Sequence, residues 1–136
     1  MRRLDIVLCV IRQGDYFILQ KRSNDPRRGG AGLIGFFGGK IEADESALAA
    51  TCREVSEETS LLPKETDLQK IGTVHVTSDH NLEEVDVYAT VFNFMVSGDM
   101  HIKAHDGTLV RMTHEEALQS LGNFTPGTRA CFEQLI

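Results

Sequence analysis

The stretch GKIEADESALAATCREVSEETSL, Gly39 to Leu61, decides the reading of this chain. Within it, Ser46 to Glu58 is the clearest helix signal in the sequence. Leu48, Cys52, Val55 and Thr59 recur at three- and four-residue spacing, which lines one face of a helix. Asp44 or Ser46 is placed to cap its start, where acidic residues also suit the positive end of the helix dipole. Pro63 prevents continuation. Six carboxylates fall between Glu42 and Glu58. Three of them, Glu54, Glu57 and Glu58, stand at i, i+3 and i+4 and project from one side, away from the apolar stripe. Like charges this close weaken a helix by a few tenths of a kcal/mol per pair. A hard divalent cation removes the conflict, since Mg²⁺ prefers oxygen ligands and binds together with substrate phosphates. An acidic helix face taken alone is more often simply solvated, so the surrounding spacing has to decide.

Outward from this helix the chain alternates strand and turn signals. Leu4 to Ile11 reads as a strand, Gln13-Gly14-Asp15 as a turn, and Tyr16 to Arg22 as the hairpin partner. Ser23 to Gly32, with Pro26 and three glycines, reads as a loop. Leu33 to Phe37 reads as a short buried strand ending at Gly38-Gly39. Leu68 to Val76 and Val85 to Val96 read as strands, the second with β-branched and aromatic residues on both faces, as for a central strand. Thr108 to Met112 is a short strand. Thr113 or His114 caps a helix to Leu121, with Glu116 at a capping-box position. Thr125-Pro126 opens a last helix. This order predicts an α/β (α+β) fold, a mixed β-sheet sandwiched between α-helices, as one domain over residues 1–136.

Composition is that of an ordinary globular protein, 41% hydrophobic and 25% charged. The net charge of −6 argues against a broad nucleic-acid surface, which would need clustered Lys and Arg. It does not disfavour a phosphate substrate if a metal supplies the positive charge. Cys9, Cys52 and Cys131 lack the close spacing of a metal or redox motif and read as small buried apolar residues. Met1-Arg2-Arg3 and the apolar residues after it are too short for a signal peptide, and no stretch approaches the ~18 apolar residues of a membrane span. The expected location is cytoplasmic, with no membrane partner.

The spacing around the helix resolves its acidic face. Gly39 is followed after five residues by Glu45, and seven residues later by Arg53-Glu54-Val55-Ser56-Glu57-Glu58-Thr59-Ser60-Leu61. This resembles the Nudix box: Gly, five residues, Glu, seven residues, then Arg-Glu-apolar-any-Glu-Glu-any-Gly-apolar. Only Ser60 departs, standing where the family has Gly. A helix often ends in a left-handed residue, where Gly is easiest, so Ser60 is expected to cost on the order of 1 kcal/mol or to shift the turn. The order of the flanking strands also resembles that family's fold, in MutT-like form.

The resemblance implies a Mg²⁺-dependent pyrophosphohydrolase, with Mn²⁺ as a substitute ion, acting on a small nucleotide-type substrate. It implies Glu54, Glu57, Glu58 and the carbonyl of Gly38 as metal ligands, and Glu45 as a supporting residue at the helix start. Arg53, i−4 to Glu57, is placed to orient that carboxylate. Glu57 is the candidate base within the box. Asp106, in His105-Asp106-Gly107, is the candidate in a distal loop, against an ordinary Asp-Gly turn. Arg22, Arg27, Arg28 and Lys40 are candidates for phosphate contact, solvated cations being the alternative. Surface or hydrogen-bonding roles are expected for all the histidines, and core packing for most of Phe17, Phe36, Tyr88, Phe92 and Phe94.

The resemblance also frames the substrate. Val76-Thr77-Ser78-Asp79 carries neither the Pro of ADP-ribose members nor the Tyr of dinucleoside-polyphosphate members. Leu19 to Gly39 matches a coenzyme A pyrophosphatase signature only in part, because Gly32 is out of register and Phe37 replaces a Pro. The expectation is a (deoxy)nucleoside triphosphate, oxidised forms included, cleaved to monophosphate and pyrophosphate. A nucleotide-sugar, ADP-ribose or coenzyme A pyrophosphatase is the alternative, and a non-catalytic nucleotide sensor is an alternative of another class. A homodimer is compatible with the resemblance.

Overall fold

The computed structural model describes residues 1–23, 32–80 and 83–136. Its elements in chain order are β1 (Arg2–Gln13), β2 (Tyr16–Lys21), β3 (Ile34–Gly35), β4 (Phe37–Lys40), α1 (Ala47–Glu58), β5 (Leu68–His80), β6 (Glu83–Val96), β7 (Thr108–Met112), α2 (His114–Leu118) and α3 (Pro126–Gln134). Short 3₁₀ turns lie at Glu65–Asp67 and Leu121–Asn123. Among the described residues no helix is long and apolar enough to cross a membrane.

The sheet is mixed, as expected. Its main path runs β3-β2-β1-β6-β5. β1 and β6 pair in parallel over the whole length of β1, from Arg2 opposite Val85 to Gln13 opposite Val96. The remaining pairings are antiparallel. β6 lies between β1 and β5, the central position its composition predicted.

The other edge of β1 is divided. Its end pairs with β2, with Ile11 opposite Ile18, while its middle pairs with β4, with Cys9 opposite Phe37. Beyond this fork β2 takes β3 instead, with Gln20 opposite Gly35. The expected single strand from Leu33 to Phe37 is therefore two strands, broken at Phe36, where the chain changes partner. The second strand runs on through Gly38-Gly39 to Lys40.

Side-chain alternation builds a core on each face. Leu8 and Val10 point to the layer holding Phe124, Cys131 and Phe132. Cys9 and Ile11 point to Val55 and Leu61, and Val7 meets Ala50 and Phe92. Phe36 and Phe37 are buried in opposite layers for the same reason. The cysteines are free, with Cys9 and Cys131 buried and Cys52 half-buried. Thr113 caps α2 in a capping box with Glu116, but the helix ends at Leu118 rather than Leu121.

Candidate active site

Helix α1 begins as its sequence dictates. Ser46 Oγ accepts the N–H of Ala49 at 3.0 Å, while Asp44 lies outside the helix with φ of 62°. The buried residues of α1 are Ala50, Thr51 and Val55, whereas Leu48 and Cys52 are only half-buried. The packing face is thus rotated from the apolar stripe read in the sequence. The cause lies in β4, where Gly38 and Gly39 present no side chains and the helix can approach closely. A Cβ on Gly39 would lie 2.5 Å from Glu54 Oε1, and one on Gly38 would lie 2.0 Å from the Val7 carbonyl oxygen. This rotation carries Glu54 and Glu58 onto the inner flank of the helix instead of leaving them solvated.

Three carboxylates of the motif, with Glu42 beside them, are organised by one guanidinium. Arg53 grips Glu45 with two bonds, Nε to Oε2 at 2.7 Å and Nη2 to Oε1 at 2.9 Å. Its Nη1 donates to Glu54 Oε1 at 2.9 Å and to Glu57 Oε2 at 3.3 Å. Nη2 also donates to the Lys40 carbonyl at 3.0 Å, and Glu42 lies 3.8 Å from Nη1. The expected Arg53–Glu57 pair is present, but the bidentate grip on Glu45 is the shorter contact. Glu45 Oε1 also accepts the Glu42 N–H at 3.0 Å. The Arg53 bond, helped by that N–H, holds Glu45 down at about 2.

Glu54 and Glu58 behave differently. Burial, then the neighbouring Glu54 charge, pushes Glu58 up to about 8, against the Gly38 N–H and the Arg22 charge. The Gly38 N–H donates to Glu58 Oε1 at 3.0 Å. Burial also raises Glu54, although Arg53 opposes it. The neighbouring Glu54 and Glu58 carboxyls are thus both held above the ordinary carboxylate range. Two neighbouring carboxyls beside a glycine backbone form a donor set of hard oxygens that suits Mg²⁺. Among the described residues no three acidic, histidine or cysteine side chains close around one point. A cation here would also draw on the backbone, water and substrate oxygens, which is how Mg²⁺ is commonly held. Glu57 stands apart, exposed and tied to Arg53.

A cleft of about 310 Å³ opens beside this pair. It is lined by Gly38, Gly39, Glu57 and Glu58 on one side, and by Gln20, Arg22, Ser23, His105 and Asp106 on the other. Asp106 therefore reaches the cleft, and it also forms the Asp-Gly turn. Its Oδ1 accepts the Gly107 N–H at 2.9 Å, and Gly107 has φ of +68°. Its carbonyl accepts Gln20 Nε2 at 2.7 Å.

His105 takes the hydrogen-bonding role expected of it, and its place in the cleft is what the sequence did not indicate. Its Nδ1 donates to the Glu57 carbonyl at 2.8 Å, and its N–H donates to the Glu58 carbonyl at 2.8 Å. It thus satisfies two carbonyls that the end of α1 would otherwise leave open. Its position next to Asp106 is the one sequence signal that could have shown that place.

Of the candidate phosphate contacts, Arg22 lines the cleft. Lys40 enters the network through its carbonyl, and its side chain is not among the lining residues. Arg27 and Arg28 lie outside the described residues. The phenylalanines at 17, 36, 92 and 94 are buried in the core. Tyr88 is half-buried, with its ring stacked on His75.

A second, largely apolar groove of about 210 Å³ shares Arg22 with the cleft. Leu4, Ile6 and Leu8 of β1 line it along with Pro126, and Ser78 and Asp79 supply polar groups.

A family model described as NUDIX domain matches residues 1–135. Among solved structures, a MutT protein from Methanosarcina mazei Go1 is 27% identical, with a TM-score of 0.74 over 98% of this chain and 92% of that one. A MutT NUDIX hydrolase from Burkholderia pseudomallei is 21% identical, with a TM-score of 0.76 and full coverage of both chains. The E. coli dihydroneopterin triphosphate pyrophosphohydrolase shares the fold at 18% identity, with a TM-score of 0.71 over 98% of this chain and 97% of that one. No curated protein sequence matches the chain.

Proposed function

The chain belongs to the NUDIX family and is a hydrolase of phosphoric anhydride bonds; from that premise we propose a Mg²⁺-dependent pyrophosphohydrolase that converts a (deoxy)nucleoside triphosphate, oxidised forms included, to its monophosphate and pyrophosphate. The observation that carries the reading is the Glu54–Glu58 pair, half-buried against Gly38-Gly39 and braced by Arg53. No core packing demands two carboxyls there, and their mutual repulsion is relieved by one divalent ion.

Glu54 and Glu58 would hold that ion with the Gly38 carbonyl, and Glu57 would join them or remain on Arg53. When bound, it neutralises charge developing on the phosphorus centre and lowers the pKa of the attacking water. Glu45 fixes Arg53, and Arg53 fixes Glu54. Glu57 lines the cleft as an exposed carboxylate and is our first candidate to take the water's proton, with Asp106 across the cleft as the second. The water oxygen bonds to phosphorus, the anhydride P–O bond breaks, and the leaving phosphate oxygen carries away its electron pair. Arg22, common to cleft and groove, would bind phosphate between them. The groove suits a flat base, with an apolar floor and Ser78 and Asp79 to meet its polar edge.

The test is product analysis on a panel of dNTPs, oxidised dNTPs, nucleotide sugars, ADP-ribose, dinucleoside polyphosphates and coenzyme A, with Mg²⁺. Release of pyrophosphate from a triphosphate is the expected result. Glu57→Gln should lower kcat by roughly 10²–10⁴-fold without unfolding the chain. Equal turnover in that variant would remove Glu57 from the role. Ligand binding with no turnover of any substrate would favour a sensor over an enzyme.

A further inference from the structure

Ser60 stands where the box has glycine, and the structure gives it a use. The chain does not leave α1 through a left-handed residue. Thr59 ends the helix with φ of −137° and ψ of 171°, and among the described non-glycine residues only Asp44 has positive φ. The expected penalty at Ser60 is therefore absent.

Instead, the exit of the helix lies antiparallel to residues 103–105. The Ser60 N–H donates to the Lys103 carbonyl at 2.9 Å, and the Lys103 N–H donates to Ser60 Oγ at 2.9 Å. Thr59 bridges Ala104, and the His105 N–H reaches the Glu58 carbonyl at 2.8 Å. A glycine at position 60 would keep the first of these bonds and lose the second, because only a side chain can receive the Lys103 N–H there. The segment so fastened leads directly into His105 and Asp106, both of which line the cleft.

We propose that Ser60 is a positioning residue. Its hydroxyl buckles the segment 103–107 to the end of α1 and so sets where His105 and Asp106 stand over the cleft. The proposal rests on the reading of that cleft as the hydrolytic site. It adds a tie between the helix that carries the motif carboxylates and the loop that faces them.

The experiment combines kinetics with amide exchange on the full chain. Ser60→Ala and Ser60→Gly should lower kcat by roughly ten-fold, the scale of a small misplacement of reacting groups, and leave KM within about two-fold. Ser60→Thr, which restores a hydroxyl, should recover most of the loss. In a chain already carrying His105→Ala and Asp106→Asn, Ser60→Ala should cost nothing further, because the residues it acts through are gone. A merely structural role would give a loss that adds in that background. Ser60 is exposed, so folding should survive in each variant, as melting curves will check.

Amide exchange gives a readout independent of turnover. The Lys103 amide should be protected in the parent chain and lose protection in Ser60→Ala, but not in Ser60→Thr. Unchanged kcat in Ser60→Ala, additive losses, or an unprotected Lys103 amide in the parent would each overturn the proposal. A protected amide in a parent that hydrolyses nothing would instead count against the hydrolytic reading of the cleft.

Discussion

Arg53 gathers Glu45, Glu54, Glu57 and the Lys40 carbonyl on one planar group. Its two-pronged hold on Glu45 uses the fork geometry that lysine lacks. Arg53→Ala should lower activity by ~10–100-fold through loss of orientation, and Arg53→Lys should recover little of it. Steady-state kinetics with circular dichroism as a folding control checks this; a lysine variant near parental activity would mean that charge alone suffices. At this scale much was legible, because the motif spacing named Glu45, Arg53, Glu54, Glu57 and Glu58 as one group. The order of Arg53's attachments was not. Glu45 lies eight residues away, and it reaches the guanidinium only because the chain turns between Ile41 and Ser46.

The helix α1 and the strand β4 show which element features are local. Ser46 and Thr113 cap their helices through bonds to residues three along, and Pro126 opens α3, so these starts could be read from sequence. The buried side of α1 could not, because it is chosen by the bare backbone of Gly38-Gly39 opposite. Nor could the break at Phe36, which exists because β1 and β2 diverge. The two glycines should respond differently to a methyl group. Gly38→Ala meets fixed backbone at Val7 and should disrupt the β1–β4 pairing and the fold. Gly39→Ala meets the far end of the Glu54 side chain. It should therefore leave the melting temperature nearly unchanged while weakening Mg²⁺ binding by ~10–100-fold. Calorimetric titration of Mg²⁺ into both variants separates these outcomes.

Over the whole molecule, protonation and metal binding are linked through the site. Glu45 is held down at about 2, so its contribution is complete above its ordinary value near 4.5 and is lost as the pH falls towards 2. Glu58 is pushed up to about 8, so the fold holds an extra proton between its ordinary value and 8. In that window the metal-free chain should lose stability as the pH rises. Mg²⁺ replaces the proton and should flatten the dependence. Melting temperatures from pH 5 to pH 8, in chelator and in Mg²⁺, check this, and identical curves would break the linkage. The parallel pairing of β1 with β6 and the meeting of His105 with Glu57, 48 residues apart, belong to this scale. No local pattern encodes them, which is why the far wall of the cleft was only partly foreseen.

The divided edge of β1 has a kinetic consequence. β4, which brings in the acidic helix, can dock as soon as it is made, but β1 gains its other neighbour only when β6 arrives some 80 residues later. Pairings this distant in sequence close slowly. A growing chain on the ribosome would thus carry its crowded carboxylates on an unfinished scaffold, and would acquire catalytic competence only once β6 and the segment with His105 and Asp106 have emerged.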